Sequence, residues 1–352
     1  MVWNGVVLLA HRSDSLVSTV TGKSGKQIKP CVTLLLYAAL MGQWRYSLVT
    51  DKLTATMQIA KRVYSLAQDQ NDSALMIGAY RAFACTLYFS GDFETARQYA
   101  MRGVQIWRSE GVQSPVEEVT APAVTCLCYQ AMLQWHFREI PSCRATMAEA
   151  SSLARELNDT QALAIALHFG TFLAQFERIP AQVERCASDL IELSTRQNFP
   201  LWLSGGEVFR GWARSVSGDT AEGISWIEEG IEHWRAAGSM WTVPYYLALK
   251  AEALHLAGRT SAALEAITEA AALVERSEER CWCAELHRLR GVFLAALGAD
   301  ETEIEASFCE AIRIAKEQKS ISLATRAEAT YAEYLRQKAS GLGGRGFRLP
   351  LC

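Results

Sequence analysis

From residue 31 onward the chain places apolar residues at helical spacing in segments of roughly 15–18 residues, each closed by a short polar or glycine turn. The segment Ser90-Gly91-Asp92-Phe93-Glu94-Thr95-Ala96 reads as helix, tight turn, helix: Gly91 takes the left-handed position that ends one helix, and Asp92 helps cap the next. Ser217-Gly218-Asp219-Thr220, Ala257-Gly258-Arg259-Thr260 and Leu297-Gly298-Ala299-Asp300 repeat the junction, with weaker versions at Asp51, Arg138 and Glu177. The series 51, 91, 138, 177, 218, 258 and 298 advances by 39 to 47 residues a step, which random glycine placement does not produce.

Two columns of small residues keep phase with these junctions. Seven residues before each stand Trp44, Ala84, Ala131, Gly170, Gly211, Ala251 and Gly291; a small residue there lets a helix lie close to its partner. Twelve residues after each stand Val63, Gly103, Ala150, Asp189, Gly230, Ala270 and Glu310, where Asp189 and Glu310 break the pattern and a one-residue slip would substitute Ser188 or Ala311. The pattern predicts first helices at 31–47, 73–89, 120–136, 160–175, 200–216, 241–257 and 281–297. It predicts second helices at 53–68, 93–108, 141–157, 179–197, 220–237, 260–276 and 301–318, and a charged capping helix at 321–338 with a solvated outer face. Pro141, Pro180 and Pro200 fall at helix starts, where a missing N–H costs nothing, and Pro115 falls in an inter-unit loop over 109–119. No alternating strand pattern competes. The expected fold is therefore all-α: a helix-hairpin superhelix of about seven pairs plus a cap over 31–338, with a flexible leader over 1–30 and a disordered glycine-rich tail over 339–352.

Composition removes several function classes. Net charge is −3 and the pI about 6.1, which leaves no electrostatic footprint for nucleic acid or an anionic membrane. The apolar run Val6–Ala10 is too short for a signal peptide or a membrane span, so a cytoplasmic location is expected. Ten cysteines include Cys126-Leu-Cys128 and Cys281-Trp-Cys283, whose i, i+2 spacing on a helix does not chelate; buried free thiols are the expected state. Gly22-Lys23-Ser24 lacks the glycine a phosphate-binding loop needs five positions earlier, where Val17 stands. The six histidines form no metal-ligand spacing, and Glu228-Glu229 and Glu278-Glu279 read as solvated charge. No cofactor, metal or catalytic constellation is expected.

The small-residue columns and the Gly-Asp-aromatic turn resemble the tetratricopeptide repeat, and the 40-residue period resembles its longer variant in regulators of the MalT type. HEAT repeats share the period but not that turn. The phrases Asn198–Leu203 (NFPLWL), Phe209–Ala213 (FRGWA), Pro244–Leu249 (PYYLAL) and Ala284–Gly291 (AELHRLRG) resemble the C-terminal repeat region of large bacterial signalling ATPases, many of them fused to a class III adenylate or guanylate cyclase. The resemblance covers about 31–338 and implies a sensory arm without catalytic parts: no Walker segment and no cyclase aspartate pair is present.

In such a superhelix the first helix of each unit lines the concave face. The register places Arg81, Tyr88, Met132, Trp135, Trp212, Tyr245, Glu252, His255, Glu285 and Arg288 there, as a partner-binding groove with aromatic anchors for an extended peptide or partner helix. The tryptophans Trp202, Trp212, Trp226, Trp234 and Trp241 crowd together at helical spacing and read as core. The expected function is a non-catalytic interaction scaffold with a protein or peptide ligand, with ATPase or cyclase domains as further candidate partners, and with neither nucleic acid nor membrane. A small-molecule sensor, and a detached part of an adenylate cyclase, are the alternatives.

Overall fold

The computed structural model describes residues 28–50, 52–111 and 121–340. The leader before Ile28, the Asp51 junction, Pro115 and the tail after 340 lie outside the described residues. Those that are described form fifteen α-helices and no strand. They are α1 (Ile28–Thr50), α2 (Leu53–Gln70), α3 (Ser73–Ser90), α4 (Phe93–Glu110), α5 (Pro122–His136), α6 (Ile140–Glu156), α7 (Thr160–Phe176) and α8 (Pro180–Gln197). They continue as α9 (Pro200–Val216), α10 (Thr220–Ala236), α11 (Val243–Leu256), α12 (Thr260–Ser277), α13 (Cys283–Leu297), α14 (Glu301–Glu317) and α15 (Ile321–Ala339), with a 3-10 turn Arg280–Trp282 before α13. Each helix packs on its sequence neighbours, and the first helices of adjacent pairs also touch (α3 with α5, α5 with α7, α9 with α11). This is a tetratricopeptide-like solenoid, and its helix limits fall within three residues of those the sequence predicts.

One turn is used nearly throughout, between pairs as well as within them. The left-handed turn residues are Asn71, Gly91, Gly111, Arg138, Asn158, Arg178, Asn198, Gly218, Gly238, Gly258, Glu278, Gly298 and Lys319, close to every 20 residues, with Thr242 as a further left-handed residue before α11. At most of these turns the next N–H reaches back to close the helix, as in Asp92 N to Leu87 O (3.0 Å), Ile179 N to Ala174 O (3.1 Å) and Asp219 N to Arg214 O (3.1 Å). The junction expected at Glu177 turns instead on Arg178, with Ile179 as the next N-cap. Counted eleven residues from each N-cap, the second column reads Val63, Gly103, Ala150, Leu190, Gly230, Ala270 and Ala311, and all seven are buried. The slip to Ala311 is thus correct. The slip to Ser188 is not, because the shifted cap moves the register forward to Leu190. Close approach is tightest between α9 and α10: a Cβ on Gly211 would stand 2.6 Å from the Gly223 carbonyl oxygen. Gly170 faces open space, so its column position needs no small residue for packing.

The superhelix winds far enough to close on itself. Met240 N donates to Val49 O (3.1 Å), and Glu278 accepts from Thr54 N (2.8 Å) and Thr54 Oγ1 (2.7 Å). Lys319 pairs with Glu94. The cap α15 lies across the inner ends of α5 and α7: Ser320 Oγ meets His136 Nδ1 at 2.8 Å, Ser322 donates to the Trp135 carbonyl, and Arg326 to the Phe176 carbonyl.

Candidate functional site

The inner face is polar at its centre and aromatic on one side. Glu252 on α11 accepts both Arg178 Nη1 (2.9 Å to each carboxylate oxygen) and Trp212 Nε1 (2.8 Å). One turn along the array, Arg288 donates two bonds to Glu285 (2.7 and 2.9 Å) and one to Thr330 Oγ1 on α15 (3.3 Å). Arg288 Nη2 also approaches Glu252 to 3.9 Å, and Arg326 Nη1 approaches Glu285 to 3.6 Å. Three guanidinium groups and two carboxylates therefore form one covered network, with an excess of one positive charge. Burial alone would raise the Glu285 pKa, but Arg288 first and then Arg326 reverse it and hold the group down at about 2. The Arg178 guanidinium lies over the Trp212 ring (5.1 Å), and its Nη2 is buried without a hydrogen-bond partner.

Beside this network rings run from unit to unit. Tyr88, Tyr129 and Phe169 follow one another at 5.6 and 5.0 Å between centroids. Trp282, on the turn before α13, stacks on Phe172 (5.9 Å) and leans on Tyr245 (4.5 Å). Tyr245 donates to Gln175. His136, between Tyr88 Oη (3.2 Å) and Ser320, and His168, against Tyr246 Oη (3.2 Å), are pulled down to about 3 by burial and are neutral.

Most of the residues that the register assigns to the groove are buried, and several of them meet. Glu252, Glu285 and Arg288 meet in the network; Trp212 and Tyr245 border it; Trp135 lies under Arg326 (5.3 Å). Tyr88 and Met132 are buried nearer the N-terminal end, and Arg81 covers Trp44 (5.3 Å). His255 sits apart, half-buried against Thr260 and Phe293. All but His255 are buried, so the face is a filled interior with α15 across it, not the open groove that the register suggests. Sequence reasoning missed two members. Arg178 belongs to a turn, and Arg326 to the cap helix, whose charge reads as solvated but whose guanidinium is mostly covered. It also misread Glu279, which is buried at 3% exposure and not solvated. The expected core role holds for Trp212, Trp234 and Trp241, while Trp226 is half-buried under Arg210 (4.6 Å). Among the described residues no cluster of His, Cys, Asp and Glu is arranged for a metal ion, and no helix is long and apolar enough to cross a membrane.

No family model matches the chain. An uncharacterised protein of Rhizobium meliloti (strain 1021) is 30% identical over 188 residues, 53% of this chain; the chain spans only 17% of that protein's length. Among solved structures, a Rap protein complexed with Competence and Sporulation Factor superposes with a TM-score of 0.60 at 11% identity, over 96% of each chain. The Rap conjugation gene regulator of the plasmid pLS20, in complex with the Phr* peptide, gives 0.61 at 11% identity, over 90% of this chain and 85% of its own. At such identity these likenesses establish a shared fold.

Proposed function

We propose that the chain is a cytoplasmic, non-catalytic regulatory scaffold that takes a peptide or a partner segment on its inner face. The observation that carries this reading is the charged network at the centre of the superhelix. Packing between repeats needs only apolar faces, and buried ion networks contribute little net stability compared with apolar side chains of the same volume. Arginines and glutamates gathered there, with Arg178 Nη2 left unpartnered, suit recognition of a peptide's carbonyls and carboxylates. The cap α15 gives the site a means of opening: its bonds from Ser320, Ser322, Thr330 and Arg326 are the ones a ligand would replace. The two Rap structures, each captured with its factor or peptide, support the reading at the level of fold. The match to a small part of a much longer protein agrees with a sensory arm of a bacterial signalling ATPase or cyclase.

Selection of a displayed peptide library on the purified full chain tests this. A recurring peptide motif is expected, with affinity falling by about tenfold or more in Arg178→Ala, the loss of a charge-assisted bond. Recovery of no motif, or of motifs that bind the variant equally well, would remove the proposal. A small-molecule inducer is the other reading; metabolites that raise the melting temperature while no peptide does would favour it.

A further inference from the structure

A second site lies away from the network, where three turns distant in sequence converge. The end of α1 (Leu48, Val49, Thr50), the N-cap of α2 (Lys52), the α10–α11 turn (Met240, Trp241) and the end of α12 with the turn after it (Leu273, Arg276, Ser277, Glu279) line a half-open cavity of about 240 Å³. Its polar wall is unusual. Of the three buried glutamates, Glu252 and Glu285 have arginine partners; Glu279 has no Lys, Arg or His ion partner among the described residues. It accepts Thr242 N (3.1 Å) and Trp282 Nε1 (3.1 Å), both on Oε2, and the Ser277 hydroxyl bonds its carboxylate as well. Neutral donors do not compensate a buried carboxylate as a cation does. Burial accordingly pushes Glu279 up to about 7, against those hydrogen bonds.

The same turn carries two further signs of a vacant role. Thr242, a β-branched residue, sits at φ +69°, a conformation that costs about 1–3 kcal/mol and persists only where its surroundings enforce it. Trp241, which lines the cavity and is 8% exposed, has a buried Nε1 with no hydrogen-bond partner, as do Ser239 Oγ and Thr242 Oγ1. Leu48, Val49, Met240 and Leu273 form the apolar part of the wall, Thr50 and Ser277 add hydroxyls, and two exposed cations, Lys52 and Arg276, stand on it as well. A larger cleft beside α14 offers the contrast: there Glu310 and Glu317 pair with Arg313, and Lys319 with Glu94.

We infer that this cavity is a binding site for a free apolar α-amino acid, whose ammonium group meets Glu279, whose carboxylate meets Arg276 or Lys52, and whose side chain fills the space between Leu48, Met240 and Leu273. The ammonium supplies the cation Glu279 lacks, and the volume, below that of drug-sized sites, suits a ligand of this size. The site is independent of the inner-face reading, since no member of the network lines it.

Calorimetric titration of the full chain at pH 8 with leucine and phenylalanine tests the assignment, alongside the amine that lacks each carboxylate and the acid that lacks each amine. Each truncated compound is expected to bind at least about tenfold more weakly than its parent amino acid. Glu279→Gln, which retains an acceptor for Thr242 N and Trp282 Nε1, is expected to weaken the amino acids by a similar factor and leave the circular dichroism spectrum unchanged. Leu273→Trp, which fills the cavity, is expected to abolish binding. Absence of binding by either amino acid at millimolar concentration, equal binding of the truncated compounds, or equal binding by Glu279→Gln would each overturn it.

Discussion

Glu279 and Glu285 stand six residues apart, both deeply buried, and the protein treats them in opposite ways. Glu285 faces Arg288 and Arg326 and is held at about 2; Glu279 faces only neutral amide, indole and hydroxyl groups at a cavity wall and is raised to about 7. Burial is common to both, so the difference comes from the partners. At the centre of the inner face the chain supplies its own counter-charges. At the convergence of the turns it does not, and that is where a ligand's charge has a place to go.

The largest effect is expected at the paired end of this comparison. Arg288→Leu removes the main partner of Glu285 and leaves a buried carboxylate mostly uncompensated, which costs about 3–5 kcal/mol of stability, measurable by urea unfolding. A loss under about 1 kcal/mol would show that Arg326 alone holds the site together. The unpaired end responds with the other sign. The Glu279 pKa in the folded state lies above its unfolded value, so its contribution is complete below about pH 4.5 and is lost as pH rises to about 7. Glu279→Gln should therefore stabilise the protein by about 3 kcal/mol at pH 8 and by almost nothing at pH 4. Glu285, lowered when folded, contributes above about pH 4.5 and loses that contribution as pH falls toward 2, so the stability difference between the wild type and Arg288→Leu should shrink over that acidic range. The smallest change sharpens the comparison at backbone level. Thr242→Gly relieves the left-handed strain and the unpartnered hydroxyl while keeping the N–H that Glu279 accepts, and should gain about 1 kcal/mol by thermal unfolding.

Helix positions were legible because local physics writes them: caps such as Asp92, Asp219 and Asp300, glycines at left-handed turns, and prolines at helix starts. The shift of one junction from Glu177 to Arg178, and the turns at Glu278 and Lys319, stayed hidden because these residues occupy a conformation usually marked by glycine or asparagine. Those side chains then reach distant partners: Arg178 to Glu252, Glu278 to Thr54, Lys319 to Glu94. The inner-face residues could be listed from the register, since one helix of each pair must face inward. Their burial could not, because it depends on how tightly the array coils and on α15 crossing it, which accumulates from small angles between repeats. Glu279 had no signal at all; next to Glu278, with Arg280 following, it looks like any charged turn.

In the proposed function the inner face, once α15 is displaced, receives a peptide. Photo-crosslinking answers it most directly: a peptide selected on the full chain is synthesised with a photoreactive residue, and the crosslinked positions are mapped by mass spectrometry. Adducts on α7, α9, α11 and α13 near Arg178, Trp212, Glu252 and Arg288, competed by unlabelled peptide, are the predicted result. Adducts confined to the outer helices α8, α10, α12 and α14 would contradict it.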